Sequence, residues 1–351
     1  MTDNMHKHNR PAKLAAYQAS AQRAIAGSVL PVLAYAKITR ECDISCTYCV
    51  ERNMLRHGDM GLHEWKRTAD IAYMLGNRSI SLVGGDPLLS PYVLDLVDYI
   101  SARDTLVSIS TNGHCLTEKM LHNLDEAGLD NLGFSIDTLG GNGRPRFGKD
   151  LTPELDGILR YIAGSKFRFT TGIATVVTKY NVALLPEMLR HFSGLGMPIR
   201  FTPMVRGVIN HEYTRELALG EEDIDEVTHI FDELSSMKLN GYLLANEGLG
   251  RLRPKMGKRT PAAVYQLHLG DDLPHSCKGG IYDLPIDNDG RLGTCCTGVT
   301  SSTHIFDLES TADYSAYIDR NREFTDRCTG CPWPHKWILT HLPETGGFIK
   351  R

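Results

Sequence analysis

The chain predicts an α/β protein: six strand–helix units wound as a partial, TIM-like (β/α)6 barrel, then a small C-terminal domain made of a β-hairpin and a helix. Three observations predict it. From residue 33 onward, short β-rich runs alternate with amphipathic helical stretches. The six units between residues 33 and 204 recur about every 29 residues, close to the roughly 30 of a βα unit. After residue 205 the alternation gives way to a cysteine-rich tail. Strand–helix alternation at that period requires a parallel sheet with right-handed crossovers. No internal sequence repeat lies behind it.

Residues 1–32 are polar and read as a helical extension. The six strand-like runs are LAYAKIT (33–39), SISLV (79–83), TLVSIS (105–110), NLGFSI (131–136), FRFTTGIATVV (167–177) and IRFTPMV (199–205). Helix starts lie between them. Ser90-Pro91 opens a run to Arg103, Thr117-Glu118 a run to Ala127, and Thr152-Pro153-Glu154 a run to Ala163. Gly128 and Gly164 stand where C-terminal caps belong. Trp65 and Met74, in the helical stretch after the first strand, read as core. GEEDIDEVTHIFDELSSM (220–237) is a further helix, acidic in its first turn as the helix dipole favours. A basic connector (248–260) follows, then IYDLPIDNDGRLGTCC (281–296), a hairpin turning at Asn288-Asp289-Gly290, and a last helix over Ala312–Arg322. The domains are accordingly 1–32, the barrel at 33–240, and a connector with the small domain at 241–351.

Composition excludes several classes. A formal net charge of −4 provides no basic footprint for nucleic acid or an anionic membrane, so neither is expected as a partner. No run of about 18 apolar residues exists to span a bilayer, and the N-terminus lacks the apolar stretch of a secretory signal. The expected setting is cytoplasmic and reducing. There the nine cysteines are ligands or reactive thiols rather than bridges.

Cys42, Cys46 and Cys49 crowd into eight residues with no fourth cysteine beside them. Spacing alone also allows a zinc knuckle, or buried thiols acting as small hydrophobes. Position argues otherwise: the triplet follows the first strand, where barrels of this kind place active sites. Other strand ends are polar too. The second runs into Gly84-Gly85-Asp86-Pro87, the third into Thr111-Asn112-Gly113, and the fourth carries Ser135-Ile136-Asp137. Glycines allow a close backbone approach to a ligand, and a carboxylate can take an ammonium group.

The C-x3-C-x2-C spacing of Cys42, Cys46 and Cys49, with Tyr48 before the last cysteine, resembles the hallmark of the radical S-adenosylmethionine (radical SAM) enzymes. The likeness covers roughly residues 33–205 and extends to the GGDP motif, where that family more often has Glu than Asp86. It implies that the three thiolates hold a [4Fe–4S] cluster whose fourth iron is open to S-adenosylmethionine. Reduction would then release a 5′-deoxyadenosyl radical that abstracts hydrogen from an unreactive C–H bond. It further implies that Gly84, Gly85, Asp86 and Pro87 meet the methionine end, with Asp86 on its ammonium. Tyr48 would lie near adenine, Ser135 and Asp137 near the ribose, with Asn112 as a further contact and Arg206 on the carboxylate. A flavodoxin- or ferredoxin-type electron donor follows from the same likeness.

Five cysteines remain in the tail, four of them as Cys277, Cys295 and Cys328-x2-Cys331. On spacing alone this is equally a four-cysteine zinc site. Beside the barrel and hairpin it resembles the twitch domain, the shortened relative of the SPASM domain, and the spacing is similar to that of twitch-bearing aminocyclitol dehydrogenases. That likeness implies an auxiliary [4Fe–4S] cluster. Cys296 rivals Cys295 as a ligand, since neighbouring strand residues face opposite ways. Cys115 is left over. It reads either as a small buried hydrophobe or as a hydrogen donor to a substrate radical.

Three functions are in contention. The first is an oxidoreductase of the radical SAM type acting on a small polar metabolite such as a sugar, aminocyclitol or nucleoside, with the auxiliary cluster as electron acceptor. The second is a radical SAM maturase or epimerase acting on a peptide or protein; about 32 residues before the first strand is short for a leader-binding domain. The third is a non-enzymatic iron–sulfur or zinc protein.

Overall fold

The computed structural model describes residues 7–49, 51, 58–140, 149–204, 216–245, 281–294 and 300–326. Its frame is a parallel sheet. β1 (Leu33–Thr39), β2 (Ser79–Gly84), β3 (Leu106–Thr111), β4 (Asn131–Ser135), β5 (Thr170–Val177) and β6 (Ile199–Pro203) pair in sequence order, each neighbour parallel. Helices return the chain between them: α2 (Leu62–Met74), α3 (Val93–Ser101), α4 (Glu118–Ala127), α5 (Pro153–Gly164) and α6 (Leu185–Gly194). The six predicted strands are all present, and the described sheet is a partial barrel that does not close.

Local chemistry explains the boundaries. The Thr117 and Thr152 side chains accept from the amides of Met120 and Leu155, capping α4 and α5. Gly128 ends α4 at φ +88°. Gly164 differs from expectation: it is the last residue of α5, and Ser165 caps it in an extended conformation. β5 starts three residues later than the sequence run. Phe167 and Phe169 stack on each other 4.9 Å apart, and the Arg168 amide donates to Asp125 rather than to a strand neighbour. α3 starts at Val93 because a short 3-10 turn, Pro87–Leu89, occupies the chain before it.

The core lies between the sheet and the helices. In α2 the buried stripe is Trp65, Thr68, Ala69 and Ala72, the i, i+3, i+4, i+7 spacing of one helical face. Met74 falls off that stripe and is 42% exposed, contrary to its reading as core. The helix α1 (Arg10–Ile25) lies against the N-terminal ends of the strands. The Lys13 ammonium, fully buried, sits 2.9 Å from Asp130, whose carboxylate also accepts the Val107 amide. Arg10 donates to Thr170 and Ser20 to the Gly76 carbonyl.

The C-terminal segment joins this frame at its β1 edge. β7 (Asp283–Ile286) pairs parallel with β1, β8 (Arg291–Gly293) turns back against β7, and β9 (Thr300–His304) completes nine strands among the described residues. The predicted hairpin turn at 288–290 is present, with Gly290 at φ +82°. α7 (Ile224–Leu239) and α8 (Thr311–Asp326) cover the two predicted late helices. Adding β7 to β1 covers the backbone donors and acceptors of an otherwise open edge.

Candidate cluster and cofactor site

The C-terminal ends of the parallel strands converge on the loop that leaves β1. Cys42 is exposed, Cys46 buried and Cys49 half-buried, all three as free thiols. The Cys49 amide donates to the Cys46 carbonyl at 3.2 Å, so the last two cysteines share one turn.

Gly84 and Gly85 dock against this loop. The Gly85 amide donates to the Thr39 carbonyl at 2.8 Å and the Asp86 amide to the Glu41 carbonyl at 2.6 Å. A Cβ on Gly84, whose φ is +142°, would stand 2.1 Å from the Thr39 oxygen, and one on Gly85 2.0 Å from that of Glu41. The close approach the two glycines permit is therefore to the backbone of the cysteine loop itself.

Asp86 is 1% exposed and its carboxylate faces protein. It accepts from the Leu88 amide at 3.0 Å, the Asn112 amide at 2.8 Å, and the Thr111 hydroxyl at 2.9 and 2.7 Å on its two oxygens. Burial pushes its pKa up, and these donors act in the opposite direction. The sequence reading had this carboxylate on an ammonium group. In the structure it caps the short turn at Pro87–Leu89, in which Pro87 is buried, and ties the end of β2 to the end of β3.

Beyond β3, Asn112 turns its amide group to the cysteine loop. Nδ2 donates to Asp43 at 2.6 Å and lies 3.9 Å from Cys42 Sγ. The Cys115 thiol donates to the other Asp43 oxygen at 3.4 Å. Burial, and after it the hydrogen bond to Asp43, raises that thiol to about 11.

On the far side of the loop, the Tyr48 hydroxyl donates to Asp137, whose other oxygen accepts the Val176 amide at 2.9 Å. The Lys149 ammonium stands 5.8 Å from the Tyr48 ring centroid. Burial raises the pKa of Asp137, with Lys149 pulling against it, and holds the Tyr48 hydroxyl well above its usual range. Ser135 is half-buried at the end of β4. Tyr48 and Asp137 thus meet, and Ser135 ends the strand two residues before Asp137.

The donor set fits an iron–sulfur cluster. Partial desolvation raises the Cys42 thiol, and burial raises Cys46 to about 11; bound iron would stabilise the thiolate form of each. Among the described residues no three His, Cys, Asp or Glu side chains converge as ligands of a single ion. A cluster takes each thiolate on a different iron and needs no such convergence.

Arg206, Cys277, Cys295, Cys296, Cys328 and Cys331 lie outside the described residues. Sequence reasoning missed Asp43, Lys149 and a buried arginine, Arg40, two residues before the first cysteine. Asp43 was legible only as the residue after Cys42. Nothing in the local pattern pointed to the other two.

The profile described as Radical SAM superfamily matches residues 36–192, which lie within the barrel segment. A tungsten-containing aldehyde ferredoxin oxidoreductase cofactor-modifying protein of Pyrococcus furiosus is 30% identical over 179 residues, 46% of this chain and 48% of that protein. The PqqA peptide cyclase of Gluconobacter oxydans is 29% identical over 170 residues, 47% of each. A GTP 3′,8-cyclase of Ectopseudomonas mendocina is 37% identical over 107 residues, 29% of this chain and 32% of that protein. The chain spans a third to a half of the length of these relatives. Among solved structures, Streptococcus suis SuiB bound to S-adenosylmethionine superposes at TM-score 0.63 with 16% identity, covering 83% of this chain and 68% of SuiB. Native anSMEcpe with bound AdoMet and a peptide superposes at 0.62 with 17% identity, covering 88% and 87%. At such identities the likeness is one of fold, the radical SAM fold. No helix among the described residues is long and apolar enough to cross a membrane.

Proposed function

We propose that this chain is a radical SAM enzyme: Cys42, Cys46 and Cys49 hold a [4Fe–4S] cluster, and S-adenosylmethionine binds beside it. The observation that carries the reading is convergence. Three strand ends bring the GGDP segment, Asn112 and the Tyr48–Asp137 pair onto one cysteine loop. A bound cluster would supply one electron for reductive cleavage of S-adenosylmethionine, and with it radical hydrogen abstraction from an unreactive C–H bond. The residues of the chain position and exclude water. Tyr48 serves the adenine side, Ser135 and Asp137 the ribose, and Asn112 with Arg206 the methionine end. The Gly84–Pro87 segment meets that end too, with Asp86 proposed for its ammonium.

The substrate reading placed first is a small polar metabolite, a sugar, aminocyclitol or nucleoside, undergoing two-electron oxidation. Residues 241–351 form its auxiliary domain, with Cys277, Cys295 (or Cys296), Cys328 and Cys331 holding a second cluster that accepts the electron. Relatives named for GTP support a nucleoside or nucleotide. A second reading, modification of a peptide or protein, is supported by the relative named for the PqqA peptide. Within it an epimerase would use Cys115, which reaches the cysteine loop through Asp43. The test is anaerobic reconstitution followed by a screen for 5′-deoxyadenosine over sugars, aminocyclitols, nucleotides and peptides, with a flavodoxin or chemical reductant. Release with one class assigns the substrate. Stoichiometric zinc and no iron in anaerobically purified protein would overturn the radical SAM reading.

A further inference from the structure

We propose that Arg40 and the hairpin turn Asp287–Asn288 act together as a clasp that closes the base of the cysteine loop, making Arg40 a positioning residue for the cluster. This rests on the reading that Cys42, Cys46 and Cys49 hold the cluster.

Arg40 is 8% exposed, so its charge needs partners, and it has three. Nη2 donates to both Asp287 oxygens at 2.6 Å, Nε to Asn288 Oδ1 at 2.6 Å, and Nη1 to Glu51 at 2.8 Å. Glu51 lies just past the last cysteine and is also paired with Lys37 at 2.6 Å. One guanidinium therefore joins the residue two before Cys42 to the residue two after Cys49.

The second anchor lies where the chain returns. Asn288 Nδ2 donates to Asp59 at 2.8 Å, Asp59 accepts the Thr39 hydroxyl at 2.7 Å, and the Met60 amide donates to the Asn288 carbonyl at 2.8 Å. The chain thus leaves β1 at Arg40, fastened to Asp287 and Asn288, and comes back at Asp59–Met60, fastened to Asn288. The two hairpin residues are 247 and 248 positions from Arg40. β7 brings them there by pairing with β1, Ile286 beside Ala36.

A fastened base limits how far the three thiols can drift apart, which lowers the ordering cost of cluster binding and slows its escape. By linkage the effect is reciprocal: a loaded cluster must stabilise the hairpin turn. The C-terminal segment is then a structural requirement for the cluster on the β1 loop, independent of any chemistry its own cysteines perform.

The test compares anaerobically reconstituted wild type with Arg40→Lys, which keeps the charge and loses the fork, with Asp287→Asn, and with Asn288→Ala. The readout is the part of the reduced-cluster EPR signal that shifts on adding S-adenosylmethionine, followed during challenge with EDTA, with thermal melts to register global stability. Arg40→Lys and Asp287→Asn should each lose that signal about tenfold faster or more, and a variant carrying both changes should lose it no faster than the more affected of the two. In the wild type, amide exchange at residues 287–290 should slow on loading. Signal half-lives within about twofold of wild type in the folded variants, or a hairpin whose exchange ignores the cluster, would overturn the clasp. If Arg40→Lys fails to fold, Asn288→Ala decides by the same readout. A wild type that loads iron but shows no shift-responsive signal overturns the cluster reading itself, and the clasp with it.

Discussion

Replacing Asp86 with alanine separates a cofactor ligand from a structural strut. In the structure the buried carboxylate is the acceptor for the amides of Leu88 and Asn112 and for the Thr111 hydroxyl. Asp86→Ala leaves these donors without their acceptor. A buried donor left unsatisfied costs roughly 1–3 kcal/mol, and water entering the vacated space recovers part of that. The sum is about 3–5 kcal/mol, and at about 2 °C per kcal/mol for a domain of this size the melting temperature should fall by about 6–10 °C. Asp86→Asn keeps the volume but turns one acceptor into a donor facing donors, so about half the loss is expected. Calorimetry of both variants, each reconstituted and titrated with S-adenosylmethionine, is the assay. An Asp86→Ala protein that melts like wild type yet binds S-adenosylmethionine much more weakly would refute the strut argument and leave the carboxylate as the ligand of the ammonium alone.

Further outcomes are expected. Reconstituted wild type should carry about eight irons from two cubane clusters, and the triple change of Cys42, Cys46 and Cys49 to Ala should remove half the iron and all reductive cleavage of S-adenosylmethionine, read by iron assay and 5′-deoxyadenosine release. Tyr48→Phe withdraws a donor from the buried Asp137 carboxylate and should cost about 1–3 kcal/mol by thermal melt, together with weaker S-adenosylmethionine binding. Cys115, with its thiol raised to about 11, stays protonated at neutral pH, so iodoacetamide should alkylate it slowly there and faster only as pH climbs toward that value. Asp43→Asn should speed the reaction, followed by mass spectrometry. If Cys115 returns hydrogen to substrate, turnover in deuterated water will place deuterium at the reacting carbon, and Cys115→Ala will abolish it.

The features legible in the residues alone are those that depend on near neighbours. The strand runs, the threonine caps of α4 and α5, Gly128 at positive φ and the hairpin turn at Gly290 all follow from a few adjacent residues, because backbone sterics and i to i+4 hydrogen bonds act over one turn. The cysteine triplet was legible for the same reason: one short loop carries the whole donor set. The tertiary structure decided the rest. The Asp86 motif showed an acid at a strand end but not its direction, which is set by Thr111 and Asn112 about 25 residues away. Met74 looked apolar enough for the core, and helix phase put it in water. Arg40 gave no local signal at all. Its partners at 287 and 288 are brought beside it only when β7 pairs with β1, and a buried cation is then held by a carboxylate and an amide oxygen that lie most of the chain length away.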